Sequence, residues 1–243
     1  MVGGLFQIAG LPMEVSRVNA DQEGPRRKGS RARRCVIIEK VIIDPKTVPA
    51  SISYQLLTAT VIPRPVGFIS SISADGIVNL APFSFFNAIC GEPPMIMFCP
   101  VNRRPQKDTL LNVQATREFV ANIVIEEIAQ QMNLTAGDYA PDVSEFDISG
   151  LTPIASDIVK PPRVLESPVN MECKVFDIIE VSDKPGGGSV VIGEVVRFHV
   201  LDSMISKDMI IDPQGIHPIG RLGGSSYIHV HDRFTMIRPV IKK

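Results

Sequence analysis

Pro63 to Phe86 reads PRPVGFISSISADGIVNLAPFSFF, and Arg104 to Thr109, beyond a short apolar run, reads RPQKDT. Val66 to Ile72 mixes β-branched residues with small hydroxyls, which suits a strand packed on a core. Ala74-Asp75-Gly76 is a turn signal, and Val78 to Leu80 resumes the apolar pattern, so the segment is a β-hairpin. Ser70 and Ser71 face opposite sides of their strand, so only one of them points into a given pocket. Ala81 and Pro82 are expected to break the ladder, because proline has no N–H to donate. The chain would then leave the sheet with backbone groups that need partners. Ser84, Phe85 and Phe86 add one hydroxyl and two rings at that place, a setting suited to a heterocycle with its own donors and acceptors.

Lys107-Asp108-Thr109 supplies the second half of this cradle. Leu110, Leu111 and Val113 recur at helical spacing, predicting a helix over 108–116 with Asp108 or Thr109 as its N-cap. A helix N-terminus offers unpaired N–H groups and a partial positive charge, both of which favour phosphate. Lys107 and the Thr109 hydroxyl complete the anion site. Replacing Lys107 and Thr109 together by Ala is expected to weaken phosphate binding and leave the fold intact.

Composition narrows the field around that cradle. The chain has 243 residues and 44% hydrophobic content, enough for one well-buried core, and no linker divides it in the middle. Its 20 prolines and 18 glycines predict many turns and hence many short strands. A net charge of −1 gives no argument for a nucleic-acid or membrane partner, and no apolar run approaches the length of a membrane span. Cys35, Cys90, Cys99 and Cys173 are far apart and contain no C-x-x-C pair, so they read as buried reduced thiols of a cytoplasmic protein. Met1 to Gly10 lacks a basic leader and a cleavage pattern, which argues against secretion.

Residues 1–34 differ from the rest. Arg26, Arg27, Lys28, Arg31, Arg33 and Arg34 crowd together among Gly and Ser, which reads as a disordered, solvated basic extension. Residues 35–243 read as one domain. Strands are expected over 35–43, 95–99, 119–125, 171–181, 190–201 and 227–230, with helices over 51–60, 108–116 and 126–134. Residues 135–168 form an excursion over the surface, and Pro185-Gly186-Gly187-Gly188 joins two long strands as a hairpin. The balance is mainly β with crossover helices, which favours a barrel over a doubly wound parallel sheet.

Arg64-Pro65-Val66, Ile69-Ser70-Ser71, Asp75-Gly76, Asn79 to Phe86, Lys107-Asp108-Thr109 and Arg221-Leu222-Gly223-Gly224 with Tyr227 together resemble the flavin reductase-like FMN-binding family, in its flavoredoxin branch. The resemblance runs from about Tyr54 to Pro239. It implies a Greek-key split β-barrel that forms a homodimer, with FMN at or near the subunit interface. It also implies an FMN-binding oxidoreductase, an NAD(P)H-dependent flavin reductase with NADH or NADPH as donor and a partner oxygenase or other redox protein as acceptor. A flavoredoxin-type electron carrier, or a flavin-binding module without catalysis, is the alternative.

The cofactor-binding residues this implies are Arg64, Ser70, Ser71, Asn79, Ala81, Pro82, Ser84, Phe85, Phe86, Lys107, Asp108, Thr109, Arg221, Gly223, Gly224 and Tyr227. Arg64 would reach the flavin phosphate or polar edge, Phe85 or Phe86 would wall the ring, and Phe83 belongs to the core. Gly223 and Gly224 would allow close backbone approach, and Tyr227 would pack near the ring. Arg221 would bind an anionic group. No catalytic side chain is needed, because the cofactor carries the redox step. His229 and His231 share one face of a strand with His217 a conceivable third ligand, but the pattern reads as a polar barrel edge or dimer contact, with no metal assigned. Gly186 to Gly188 lacks a following Lys-Ser/Thr and is not a phosphate loop.

Overall fold

The computed structural model describes residues 15–17, 39–211, 215–232 and 234–241. The chain divides into two compact units, Met1–Leu57 and Thr58–Lys243. In the first, β1 (Val15–Arg17) pairs antiparallel with β2 (Glu39–Val41). Apart from Val15–Arg17, the basic extension expected over residues 1–34 lies outside the described residues, as does Cys35. Helix α1 (Ala50–Thr60) contains the division between the units.

The second unit begins with β3 (Arg64–Pro65), β4 (Gly67–Ile72), β5 (Val78–Phe83), β6 (Phe86–Gly91) and β7 (Pro94–Phe98). Helix α2 (Asp108–Thr116) and β8 (Glu118–Ile123) follow, then a 3-10 turn (Glu126–Ile128), α3 (Ala129–Leu134) and α4 (Glu145–Ser149). A two-residue ladder of β9 (Pro153–Ile154) and β10 (Arg163–Val164) precedes the long hairpin of β11 (Val169–Glu180) and β12 (Ser189–Val200). The last strands are β13 (Ile219–Arg221) and β14 (Tyr227–His229), which join β3 in a small sheet.

Seven strands form one antiparallel sheet in the order β5-β4-β8-β11-β12-β7-β6. Strands β5 and β6 stand at opposite ends of that order, yet only Ser84 and Phe85 join them. In a flat sheet, six strand spacings would hold them roughly 29 Å apart. Two linking residues span only about 10 Å. The sheet therefore curls until its edges approach, giving a Greek-key split β-barrel with its seam between β5 and β6. Rings from three strands meet inside it: Phe83 lies 4.9 Å from Phe98, and Phe98 5.1 Å from Phe119. Leu110 and Val113 of α2 are fully buried in the same core. Glycine is needed at two places where a ring crosses a strand. A Cβ on Gly67 would sit 2.4 Å from the Phe86 ring, and one on Gly193 2.4 Å from the Phe119 ring.

A second apolar layer covers the outer wall. Phe68 and Leu80, on the β4–β5 hairpin, pack with Met132, Phe146, Leu151 and Val164. The 135–168 excursion is thus a packed flap, and a buried carboxylate pins part of it. Glu172 on β11 accepts the N–H groups of Asp157 (2.8 Å), Ile158 (2.7 Å) and Val159 (3.1 Å), and lies 2.6 Å from His199 Nε2. Burial would raise the pKa of this carboxyl, but those partners outweigh burial and bring it down to about 2.

Several sequence expectations need correction. The ladder does not break at Ala81 and Pro82: Ala81 pairs with Ile69 and Pro82 with Phe68. Strand β5 is an edge strand, so the missing N–H of Pro82 faces away from the ladder. On that outer side the Leu80 N–H donates to Glu145 Oε2 at 2.8 Å, so a carboxylate from α4 covers the edge. The N-cap of α2 is Lys107, with no side-chain cap, in place of Asp108 or Thr109. Cys90 is exposed on β6, whereas Cys173 is buried and its thiol pKa is pushed up by that burial. No helix among the described residues is long and apolar enough to cross a membrane.

Candidate functional site

Ten of the residues singled out in the sequence gather in two clusters. The first cluster lies where the β4–β5 hairpin meets α2. Asn79 Nδ2 donates to Thr109 Oγ1 at 2.9 Å and to Ser71 Oγ at 3.4 Å, and Asn112 Nδ2 donates to Ser71 Oγ at 3.1 Å. All four side chains are buried. Their register explains the meeting, since Ser71 and Asn79 stand opposite each other on the hairpin. Asn112 lies one helical turn after Thr109, so both face the hairpin. Ser70 points to the other side, as strand alternation requires, and donates to the Pro162 carbonyl at 2.5 Å.

The second cluster gathers at the barrel seam around Arg64. This side chain is 7% exposed, and its guanidinium donates to the carbonyls of Thr58 (2.5 Å), Val61 (2.9 Å) and Leu222 (2.9 Å) and to Ser84 Oγ (3.4 Å). The same guanidinium lies 5.9 Å from the centre of the Phe85 ring. Arg64 therefore acts as a clamp between α1, the β5–β6 link and the segment after β13, where the sequence suggested a direct ligand contact. Phe85 stays half-exposed at the seam, whereas Phe86 enters the core against Gly67.

Strand β13 pairs with β3 through Gly220–Pro65 and Arg221–Arg64, which brings the Arg-Leu-Gly-Gly segment to the clamp. Gly223 packs on Ala59, where a Cβ would meet the helix backbone at 3.3 Å. Arg221 stacks 4.4 Å from the Tyr227 ring centre, bonds the Tyr227 hydroxyl and donates to the Gly224 carbonyl at 2.6 Å. Arg221, Gly223, Gly224 and Tyr227 thus form one unit with Arg64, Ser84 and Phe85.

Lys107 links the first cluster to a cationic loop. The loop from Asn102 to Gln106 lines a cavity of about 650 Å³, together with Glu180, Asp183 and Pro185 from the tip of the β11–β12 hairpin. Arg103 pairs with Asp138 through one nitrogen, while its buried Nε has no hydrogen-bond partner among the described residues. The Lys107 pKa is lowered by burial first and then by the Arg103 charge, against the opposing pull of Asp138, Asp108 and Glu145. A cation destabilised in this way favours an anion beside it. The backbone N–H groups of Asp108 and Thr109 open the helix and have no intrahelical acceptor. These features fit a phosphate-bearing ligand.

Sequence reasoning missed four residues here. Arg103 and Arg104 precede the quoted Lys-Asp-Thr and were legible as charge near a helix start. Asn112 had a weaker signal, as a polar residue on the buried face of α2. Glu145 left none, because its role depends on the flap folding back onto β5; burial pushes its carboxyl pKa up, and Asp108 adds to that.

Comparison with known proteins gives a consistent result. The family model described as flavin reductase like domain matches residues 59–220. A solved structure of nitrilotriacetate monooxygenase component B from Bacillus cereus is 34% identical, with a TM-score of 0.76, covering 81% of this chain and 100% of that one. The 2-nitrobenzoate 2-nitroreductase of Pseudomonas fluorescens is 30% identical with a TM-score of 0.76, covering 83% of this chain and 98% of that one. A Shewanella frigidimarina protein with a split barrel domain, 24% identical, has a TM-score of 0.71 over 80% of this chain and 96% of its own, and supports the fold alone.

Proposed function

This chain belongs to the flavin reductase like domain family of flavin-binding oxidoreductases, and from that premise we propose that it is an NAD(P)H-dependent FMN reductase. The observation that carries the cofactor reading is the unsatisfied cationic loop at the start of α2. Lys107 and Arg103, with the first N–H groups of α2, would hold the phosphate, as charge-assisted bonds and a helix terminus both favour. Asn79, Ser71 and Asn112 fix the position of Thr109 beneath that site and need no ligand of their own.

The Arg64 clamp does comparable work at the seam. It holds Ser84 and the half-exposed Phe85 ring against the Leu222-Gly223 backbone, where a planar ligand would stack. Arg221, stacked on Tyr227, supplies a cation beside them for an anionic donor or substrate group. Bound FMN would supply the electron-accepting and electron-passing chemistry, with NADH or NADPH as donor. The protein need only hold, orient and electrostatically support it.

The likeness to a monooxygenase component favours an oxygenase as the electron acceptor. A homodimer is part of the same reading. Phe176, Ile179 and Val181 on and after β11, with Phe198 on β12, leave apolar surface exposed that a second copy would cover. The test is anaerobic addition of NADH or NADPH to FMN-loaded protein, followed by visible absorption. Loss of the oxidised-flavin bands supports the reductase. Bands that fade only with dithionite would overturn NAD(P)H dependence and leave an electron carrier.

A further inference from the structure

The backbone around Pro218 draws together four potential metal-binding side chains that belong to neither cluster described above. Ile125 forms an antiparallel bridge with Pro218, and the Ile219 N–H donates to the Val124 carbonyl at 3.2 Å. On the other side, the Val230 N–H donates to the Pro218 carbonyl at 3.3 Å. Glu126 follows Ile125, His217 precedes Pro218, and His229 and His231 flank Val230. One backbone junction therefore sets the positions of all four.

Their side chains converge as that scaffold requires. His229 Nδ1 is 3.2 Å and His231 Nε2 3.7 Å from the same oxygen, Glu126 Oε2. The donor atoms of Glu126, His229 and His231 all lie within 4.8 Å of one another. The His229 and His231 rings stack with centroids 5.6 Å apart and an interplanar angle of 16°, and the His217 ring lies 5.5 Å from that of His231. Zinc bonds of about 2.0–2.2 Å place neighbouring donors roughly 3.3 Å apart. The two separations to Glu126 are near that value, and the three side chains are exposed enough to adjust.

Two imidazoles sharing one carboxylate oxygen gain full Coulomb attraction only if both are charged, and stacked cations then repel. Neutral rings can each donate one N–H to that oxygen, whereas a divalent metal uses a lone pair from each neutral ring and from the carboxylate. Two imidazole nitrogens and a carboxylate form a donor set that suits zinc-like transition ions over magnesium or calcium. The histidine pair alone, as it stands in the sequence, lacked the ligand that Glu126 provides.

We propose that Glu126, His229 and His231 form a binding site for a divalent transition metal of zinc type, with water completing the coordination. The bound ion clips β14 to the turn after β8, steadying Tyr227 two residues upstream of His229. The test titrates untagged, chelator-stripped full-length protein with Zn²⁺ against a chromophoric competitor. One ion per chain is expected. Loss of an outer-shell partner alone lowers metal affinity by about 10–100-fold, so His229→Ala with His231→Ala should lower it by at least about 100-fold. Glu126→Gln should weaken binding less. Zn²⁺ should also raise the thermal midpoint of the wild type and leave that of the double variant unchanged. Failure of the wild type to bind, or wild-type affinity in a double variant with an unchanged circular dichroism spectrum, would overturn the proposal.

Discussion

The hairpin half of the cradle and the loop half before α2 answer the same question in opposite ways. Ser71, Asn79, Thr109 and Asn112 are polar, buried and satisfied by one another. Arg103, which borders a cavity, and Lys107, next to that loop, are cationic and under-satisfied, with an orphaned Nε on one and a depressed pKa on the other. Buried groups with complete hydrogen bonding hold a shape, while groups left short of partners are poised for a ligand. The same test separates Arg64 from Arg103: one is spent on carbonyls, the other is not.

If that division is right, damage to the satisfied groups should appear as lost stability. Arg64→Met should have the largest effect, because it strands the carbonyls of Thr58, Val61 and Leu222 at a buried site. A cost of about 3–5 kcal/mol is expected in urea unfolding, because each buried acceptor that loses a partner costs about 1–3 kcal/mol. A cost below about 1 kcal/mol would mean that the clamp is dispensable to the fold.

Glu172→Gln comes next, with a loss of about 3 kcal/mol at neutral pH, from the fall of its pKa from 4.5 to about 2. Because the folded pKa lies below the ordinary value, this stabilisation is complete above pH 4.5. It is lost as pH falls towards about 2. Wild type and variant should therefore converge in acid, and denaturant midpoints at pH 7 and pH 3 check this. A constant gap between them would show that the carboxylate charge is not what pins Asp157 to Val159.

Thr109→Val should cost about 1–2 kcal/mol, because it leaves the Asn79 amide short of an acceptor. FMN affinity should fall only a few-fold. The same unfolding measurement tests the sequence-based expectation that Lys107 and Thr109 can be replaced together with the fold intact. Thr109 belongs to the satisfied half and Lys107 to the open one.

What the sequence disclosed follows local chemistry. The Ala74-Asp75-Gly76 turn, the 108–116 helix and the Pro185–Gly188 hairpin are marked by residues a few positions apart, and each stands where expected. The barrel seam was legible only through the family resemblance, since nothing local says that β5 and β6 lie at opposite sheet edges. Pro82 misled because a missing N–H disrupts a ladder only on the paired side of a strand. Glu145, Glu172 and Glu126 were silent for a different reason. A carboxylate acquires a role from the groups that face it, and here those groups lie on segments far away in the chain.

Arg103→Ala with Lys107→Ala should perturb stability least, by under about 0.5 kcal/mol, and affinity most. The decisive measurement is a titration of wild type and this double variant with FMN and with riboflavin, which lacks the phosphate. Loss of about 10–100-fold in FMN affinity, unchanged riboflavin affinity and an unchanged thermal midpoint are predicted. Equal weakening of both flavins, or of neither, would contradict the assignment of the phosphate to the loop half.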